Sequence, residues 1–159
     1  GQRELTLVTE NGQSIRFRET EIRTTGRVSQ GVKGITLRPG DQVVGMDVVR
    51  DDAELLVITD QGFGKRTPLA QYRPQGRGGM GIKTLRQTEK NGKIIGVKVV
   101  HPEHELMLIT ANGVIIRVAV KDIPSHGRDT QGVRIMNVRD DERVVALARV
   151  VGKEEENGE

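Results

Sequence analysis

The sequence predicts an all-β fold, a propeller-type array of three four-stranded antiparallel blades. Three observations carry this. First, Glu4-Leu5-Thr6-Leu7-Val8-Thr9-Glu10-Asn11-Gly12 returns as Glu54-Leu55-Leu56-Val57-Ile58-Thr59-Asp60-Gln61-Gly62 and as Glu105-Leu106-Met107-Leu108-Ile109-Thr110-Ala111-Asn112-Gly113. A period of about 50 residues belongs to architectures in which one supersecondary unit stacks on its copies. Second, turn signals recur roughly every 8–12 residues between short β-branched runs. Third, no stretch carries a helical period.

The elements follow in order within each copy. The apolar runs Leu5–Thr9, Leu55–Thr59 and Leu106–Thr110 are first strands. Asn11-Gly12, Gln61-Gly62 and Asn112-Gly113 turn the chain, because Asn-Gly tolerates positive φ at both turn positions. Second strands are predicted over Ser14–Arg18, Gly64–Thr67 and Val114–Ala119, each followed by a Gly-rich polar loop. Third strands are predicted over Val32–Leu37, Ile82–Leu85 and Val133–Val138. Turns at Pro39-Gly40-Asp41, Asn91-Gly92 and Asp140-Asp141 lead to fourth strands over Gln42–Val49, Lys93–Val100 and Arg143–Val151.

Four short strands in a unit of about 50 residues read as a propeller blade, although three tandem small barrels or a β-solenoid satisfy the same pattern. The blades run over about 1–50, 51–101 and 102–152, and 153–159 reads as an acidic disordered tail. Propellers close with about four to eight blades, so three leave open edges and call for more blades or a second copy of the chain.

Of the 159 residues 35% are hydrophobic and 2% aromatic, which fits several small cores, one per repeat, better than one large core. No apolar run reaches the length of a membrane span, no signal-peptide pattern is seen, and cysteine is absent, which favours the cytoplasm and excludes thiolate metal sites. Net charge is +3 but uneven: residues 51–101 carry 9 basic and 5 acidic side chains, 153–159 carry 1 and 4. This asymmetry points to a polyanionic partner, with an ordinary solvated surface as the plain alternative.

The recurring loops carry the chemistry. Gly26-Arg27 to Gly31, Gly76-Arg77-Gly78-Gly79-Met80-Gly81 and Gly127-Arg128 to Gly132 share the pattern Gly-Arg-x-x-x-Gly followed by Val or Ile. Glycine allows close backbone approach, and the guanidinium fork suits phosphate. Packing against a neighbouring blade is the alternative for both residue types. Arg16, Arg66 and Arg117 recur at the end of the hairpin, and Lys33, Lys83 and Arg134 follow the Gly-rich loops. Lys65, Arg66, Arg73, Arg77, Lys83 and Arg86 make the middle repeat the densest basic segment. With Phe17, Phe63 and Tyr72 as the whole aromatic set, stacking on single-stranded bases is disfavoured against contact with duplex phosphates.

No catalytic pattern is present: neither a phosphate-binding Gly-x-x-x-x-Gly-Lys-Ser/Thr loop nor His-Glu-x-x-His occurs. His101, His104 and His126 lack a metal-ligand spacing, and His101-Pro102-Glu103-His104 reads as a polar link. Asp51-Asp52 and Asp140-Asp141 read as turn residues.

At Gly26–Leu37, at Asn91-Gly92 and above all at Gly127-Arg128-Asp129-Thr130-Gln131-Gly132-Val133, the chain resembles the C-terminal domain of DNA gyrase A, over essentially its whole length. The resemblance implies a β-pinwheel, a propeller-like ring whose blades exchange strands, with this chain as the last three of six blades. It implies a non-catalytic module that wraps duplex DNA on a basic outer rim and supports ATP-dependent negative supercoiling. The contacts would come from Arg16, Arg27, Lys33, Lys65, Arg66, Arg73, Arg77, Lys83, Arg117, Arg128 and Arg134. The implied partners are double-stranded DNA, the rest of the gyrase A protein and the gyrase B protein. ATP and magnesium would be used outside this chain, which needs no cofactor or metal. A homodimer of half-rings would close the ring, and location would be cytoplasmic, at the nucleoid. The runner-up relative is the topoisomerase IV C-terminal domain, which tunes substrate choice without strong wrapping, and the alternative function is a protein-interaction propeller. The family's box, Gln-Arg-Arg-Gly-Gly-Lys-Gly, has only a degenerate match at Gln75–Gly81, without the arginine at its second position or the lysine at its sixth, so the true box is expected upstream. Tyr72 does not match the catalytic tyrosine and reads as a packing residue.

Overall fold

The computed structural model describes residues 4–18, 37, 39–50, 52–72 and 82–150. These contain β1 (Glu4–Thr9), β2 (Gln13–Arg18), β3 (Val43–Val48), β4 (Glu54–Thr59), β5 (Phe63–Pro68), β6 (Ile82–Lys83), β7 (Ile94–Val100), β8 (Glu105–Thr110), β9 (Ile115–Ala119), β10 (Val133–Arg134) and β11 (Val144–Val150). Single 3-10 turns at Leu69–Gln71 and Val120–Asp122, not foreseen from the sequence, follow β5 and β9. The strands pair antiparallel in three sheets, ordered β3-β1-β2-β6, β10-β5-β4-β7 and β11-β8-β9.

The hairpins lie where the repeat predicts them, with Leu7 opposite Ile15, Val57 opposite Lys65 and Leu108 opposite Ile116. Each closes in the same way. The turn glycine N–H donates to the carbonyl of Thr9, Thr59 or Thr110 at 3.0–3.1 Å. The hydroxyl of the same threonine accepts the amide four residues on, from Gln13, Phe63 or Val114, at 3.1 Å in each copy. Threonine therefore recurs because it caps the turn twice.

The third strands differ from expectation in length and in partner. Ile82–Lys83 and Val133–Arg134 are two residues long, and neither joins its own repeat's hairpin. β6 pairs with β2 of the preceding repeat, and β10 with β5. What ends the pairing is docking. The amides of Ile135 and Met136 turn onto the carbonyl of Gly62 at 2.8 and 3.2 Å, and the amide of Thr84 onto that of Gly12 at 2.7 Å. The second and third repeats thus each give a strand to the blade before them, the exchange the resemblance implies. The third sheet consequently has three strands among the described residues, where four were expected. Most of the predicted strand Val32–Leu37 lies outside the described residues, as do 151–159 with the tail.

Of the three cores among the described residues, one, formed by Leu5, Ile15 and Phe17, lies within the first repeat as the composition suggested, and the other two sit between blades. β4 explains why: it is buried on both faces. Leu55 and Val57 join Val8, Tyr72, Leu85 and Ile94 in one core, whereas Leu56 and Ile58 join Leu106, Leu108, Val120 and Ile123 in the next. Successive residues of a strand point to opposite faces, so one apolar run serves two interfaces. The fourth strands pack edge to edge. Gly96 permits this, since a Cβ there would lie 3.0 Å from Leu147 Cβ.

Candidate nucleic-acid interface

The recurring hairpin arginines serve mainly as clamps between blades. Arg16 forms a two-pronged pair with Glu4, its Nε donating to Oε2 at 2.9 Å and its Nη2 to Oε1 at 3.0 Å. Its Nη1 donates to the carbonyls of Leu69 and Tyr72 in the following repeat, each at 3.0 Å. Arg66 repeats the device with Glu54 at 2.6 Å and the Ile123 carbonyl at 2.7 Å. Among the described residues Arg117 has only its glutamate, Glu105 Oε2 at 2.5 Å. Arg16 and Arg66 are 17% and 15% exposed at the side chain, whereas Arg117 is 61% exposed. The first two therefore have little capacity left for an external phosphate.

The predicted loop residues do converge. Lys83, on the edge strand of the first sheet, lies beside the loop Gly127–Gly132, which is docked on the second sheet. Arg128 Nη1 donates to the Lys83 carbonyl at 3.2 Å. Asp129 sits between Arg86, at 3.2 Å, and Lys83, at 3.9 Å, with all three side chains about half exposed. The hydrogen bond from Arg86 holds the Asp129 carboxyl below its ordinary pKa, so it stays ionised and partly neutralises its neighbours. Arg134 occupies on β10 the place of Lys83 on β6, and its guanidinium lies 5.1 Å from the centre of the Phe63 ring. The result is an exposed basic surface formed by two adjacent blades, with one acid inside it.

Lys65 differs from its expected role. It is fully buried, and its Nζ donates to the carbonyls of Gly127 and Arg128 at 2.7 Å each and to Thr130 Oγ1 at 2.9 Å. An ammonium has three donors, and all three are used inside the protein. Asn91, read from the sequence as a turn residue only, is a second tie. Its Nδ2 donates to the carbonyls of Arg86 at 2.9 Å and Gln131 at 3.1 Å, and the Arg86 amide donates to the Thr130 carbonyl at 2.9 Å. Sequence reasoning gives Asp129, Thr130 and Asn91 no contact role, although all three lie in segments that carry the resemblance. No recurrence marks Asn91, because the turns before the other two fourth strands read Pro39-Gly40-Asp41 and Asp140-Asp141.

Among the loop glycines, Gly132 has φ +76° and its added Cβ would lie 2.8 Å from the Gly64 carbonyl oxygen, while Gly127 has more room. Arg27, Lys33, Arg73 and Arg77, with Gly26, Gly31, Gly76, Gly78, Gly79 and Gly81, lie outside the described residues. Tyr72 is buried and its hydroxyl is hydrogen-bonded to Thr84, in keeping with a packing role. His101, Glu103 and His104 bring three potential ligand atoms within 4.8 Å, closer than their spacing suggested. His104 Nδ1, however, accepts the His101 amide at 3.0 Å and closes the turn, so the link has a structural use. No helix among the described residues is long and apolar enough to cross a membrane.

A family model, the DNA gyrase C-terminal domain, beta-propeller, matches residues 3–50, 53–101 and 104–150, one match per repeat. The DNA gyrase A protein of Staphylococcus aureus strain MRSA252 is 46% identical over 161 residues, which covers 100% of this chain and 18% of that protein. That of strain NCTC 8325 / PS 47 is 47% identical over 152 residues, 94% of this chain and 17% of its own length. The chain thus spans less than a fifth of these relatives. A solved DNA gyrase A C-terminal domain superposes with a TM-score of 0.88 at 22% identity, covering 94% of this chain and 51% of that one; at this identity the likeness shows the fold alone. The C-terminal domain of a DNA topoisomerase IV superposes with a TM-score of 0.86 at 28% identity, covering 98% and 49%. Three family matches in register with three structural repeats show that the chain belongs to the DNA gyrase C-terminal domain family.

Proposed function

We propose that the chain is a non-catalytic module that binds and bends duplex DNA through its phosphates, within a larger topoisomerase that uses ATP to introduce negative supercoils. The observation that carries this is the junction where Lys83 and Arg86 of one repeat meet Arg128 of the next on an exposed surface. Arg134 continues the surface on the following blade. Duplex DNA presents phosphates in a regular row, and basic groups repeated once per blade match such a row without reading bases. Arg117 is a weaker candidate; Arg27 and Arg77 are candidates by their equivalence in sequence to Arg128, Lys33 by its equivalence to Lys83, and Arg73 by its place in the basic middle repeat. In this reading the other partners are the remainder of the gyrase A protein and the gyrase B protein, metal and nucleotide are handled elsewhere, and the protein works at the nucleoid. The likeness to a topoisomerase IV domain favours a second reading, in which the same surface selects DNA substrates without strong wrapping.

The test is duplex affinity as a function of salt. Four phosphate contacts predict a slope of roughly −3.6 in log affinity against log salt, so a fourfold rise in salt weakens binding by about two orders of magnitude. A flat response rejects the proposal. A topology assay on relaxed circles separates the two readings, because only wrapping leaves the circles with altered linking number after sealing. Asp129→Asn is expected to raise affinity modestly, because its two exposed pairs no longer compete with phosphate for Lys83 and Arg86. The same binding assay checks this, and unchanged affinity would place Asp129 outside the DNA surface.

The solved relatives are about twice the length of this chain, which supports reading it as a half-ring. β9 has no partner on its outer side among the described residues, and Val114 and Ile115 near it are 50% and 58% exposed. A second copy of the chain would close that edge, and sedimentation equilibrium distinguishes monomer from dimer.

A further inference from the structure

Lys65 is the only buried cation among the described residues. It stands on β5 opposite Val57, in a place where the other two hairpins carry Ile15 and Ile116. The hairpin therefore forms without a lysine, and burying an ammonium where isoleucine suffices disfavours folding unless the charge is well partnered. Its partners all belong to one short stretch of the next repeat. The Gly127 and Arg128 carbonyls and Thr130 Oγ1 converge on Nζ, and Thr130 Oγ1 in turn donates to the Gly127 carbonyl at 2.8 Å. Fixing those two carbonyls fixes the peptide planes on either side of Arg128, and so the direction in which its side chain leaves the loop.

We propose that Lys65 is a positioning residue for phosphate recognition: it holds the loop Gly127–Gly132 in the shape that sets Arg128 beside Lys83 and Arg86, and it touches no phosphate itself. The inference rests on the DNA-binding reading above and names the part of the surface that is conditional on one buried group.

A consequence is dependence on pH. Burial pushes the Lys65 ammonium down to about 8, with Asp129 pulling it up and Arg128 and Arg86 pushing it further down. These are the charged groups that face it, and Val57 across the hairpin is apolar. A neutral amine has two hydrogens for three acceptors, so one acceptor is left unserved when the proton leaves. Phosphate binding should then weaken as pH rises through about 8. Stability should move the other way. The folded chain gives up this proton near 8 and the unfolded chain only near 10.5, so between those values the unfolded state binds more protons and rising pH favours the fold. Stability and binding that move in opposite directions are not expected of a lysine that merely supports the fold.

The full chain is titrated with a mixed-sequence duplex as wild type, Lys65→Met, Arg128→Ala and the double variant, with folding checked by circular dichroism. Lys65→Met is expected to lose severalfold in affinity, and the double variant to bind no more weakly than the weaker single one. Losses that multiply in the double variant would mean that Lys65 acts independently of Arg128 and would overturn the inference. Wild-type affinity should fall severalfold from pH of about 7 to about 9 while Lys65→Met stays level. This wild-type series needs no substitution, so it decides even if Lys65→Met fails to fold, and a level profile counts against the proposal. Hydrogen exchange at the Arg86 amide, which donates to Thr130, supplies a readout free of DNA. Faster exchange above pH 8, beyond the ordinary base-catalysed increase of neighbouring amides, is expected, and unchanged relative protection overturns the positioning role. If the wild type shows no salt-dependent binding while this exchange responds, the DNA reading fails and the structural tie stands.

Discussion

Replacing Arg66 with alanine is expected to lower stability by about 3 kcal/mol, read as a fall in the denaturant midpoint, whereas Arg117→Ala is expected to lower it by less than about 1 kcal/mol. The two residues occupy the same place in their repeats and each pairs with the glutamate twelve residues earlier. They differ in what lies beyond. Arg66 is 15% exposed and also holds the Ile123 carbonyl of the following repeat at 2.7 Å. Its loss leaves Glu54, itself 14% exposed, with Ser125 Oγ as a remaining donor at 2.6 Å, and removes a tie across the blade interface. An uncompensated, largely buried charge is the costly outcome. Arg117 is 61% exposed, and its pair with Glu105 is screened by water. Equal losses in the two variants would mean that the glutamate pair alone matters and that the contact between blades contributes nothing.

This contrast also shows what could be read from the sequence. The hairpins were legible almost to the residue, because β-branched runs and turns ending in glycine are local signals and each recurs in three copies. Strand exchange was not legible from periodicity. Ile82–Lys83 follows its own repeat in the chain but pairs with β2, and no local pattern names that partner; the resemblance to a pinwheel supplied it. The placement of the cores was hidden for the same reason, since a run such as Leu55–Ile58 does not say that its two faces meet different blades. For the site, recurrence correctly drew attention to Arg128 and Lys83 but could not separate a phosphate contact from a clamp. The separating signal was present: Glu4, Glu54 and Glu105 recur in step with Arg16, Arg66 and Arg117, and a matched acid is the mark of an internal pair. Lys65 carried a signal of the opposite kind, a charge where the other copies have isoleucine.

The second large effect is expected at Gly62. Gly62→Ala should lower stability by about 3 kcal/mol and Gly113→Ala by about 1 kcal/mol, measured by denaturant unfolding of each variant. Both glycines end a hairpin turn with φ near +80°, +82° at Gly62 and +87° at Gly113, a conformation in which an L-residue is disfavoured by about 1–2 kcal/mol. That part of the loss is common to both. At Gly113 an added methyl meets nothing within 4 Å among the described residues, so the conformational term stands alone. At Gly62 it would lie 2.3 Å from the Met136 carbonyl oxygen, a backbone atom that no side-chain rotation can move. The docked segment would have to withdraw, giving up the amide bonds from Ile135 and Met136 to the Gly62 carbonyl, each worth about 1 kcal/mol. Because that segment leads directly out of β10, its withdrawal would also loosen Arg134 and the strand that one blade receives from the next. A Gly62→Ala variant as stable as Gly113→Ala would show that the exchanged strand is held by its ladder alone. A larger loss, accompanied by weaker duplex binding, would tie the basic surface to the turn of the preceding blade.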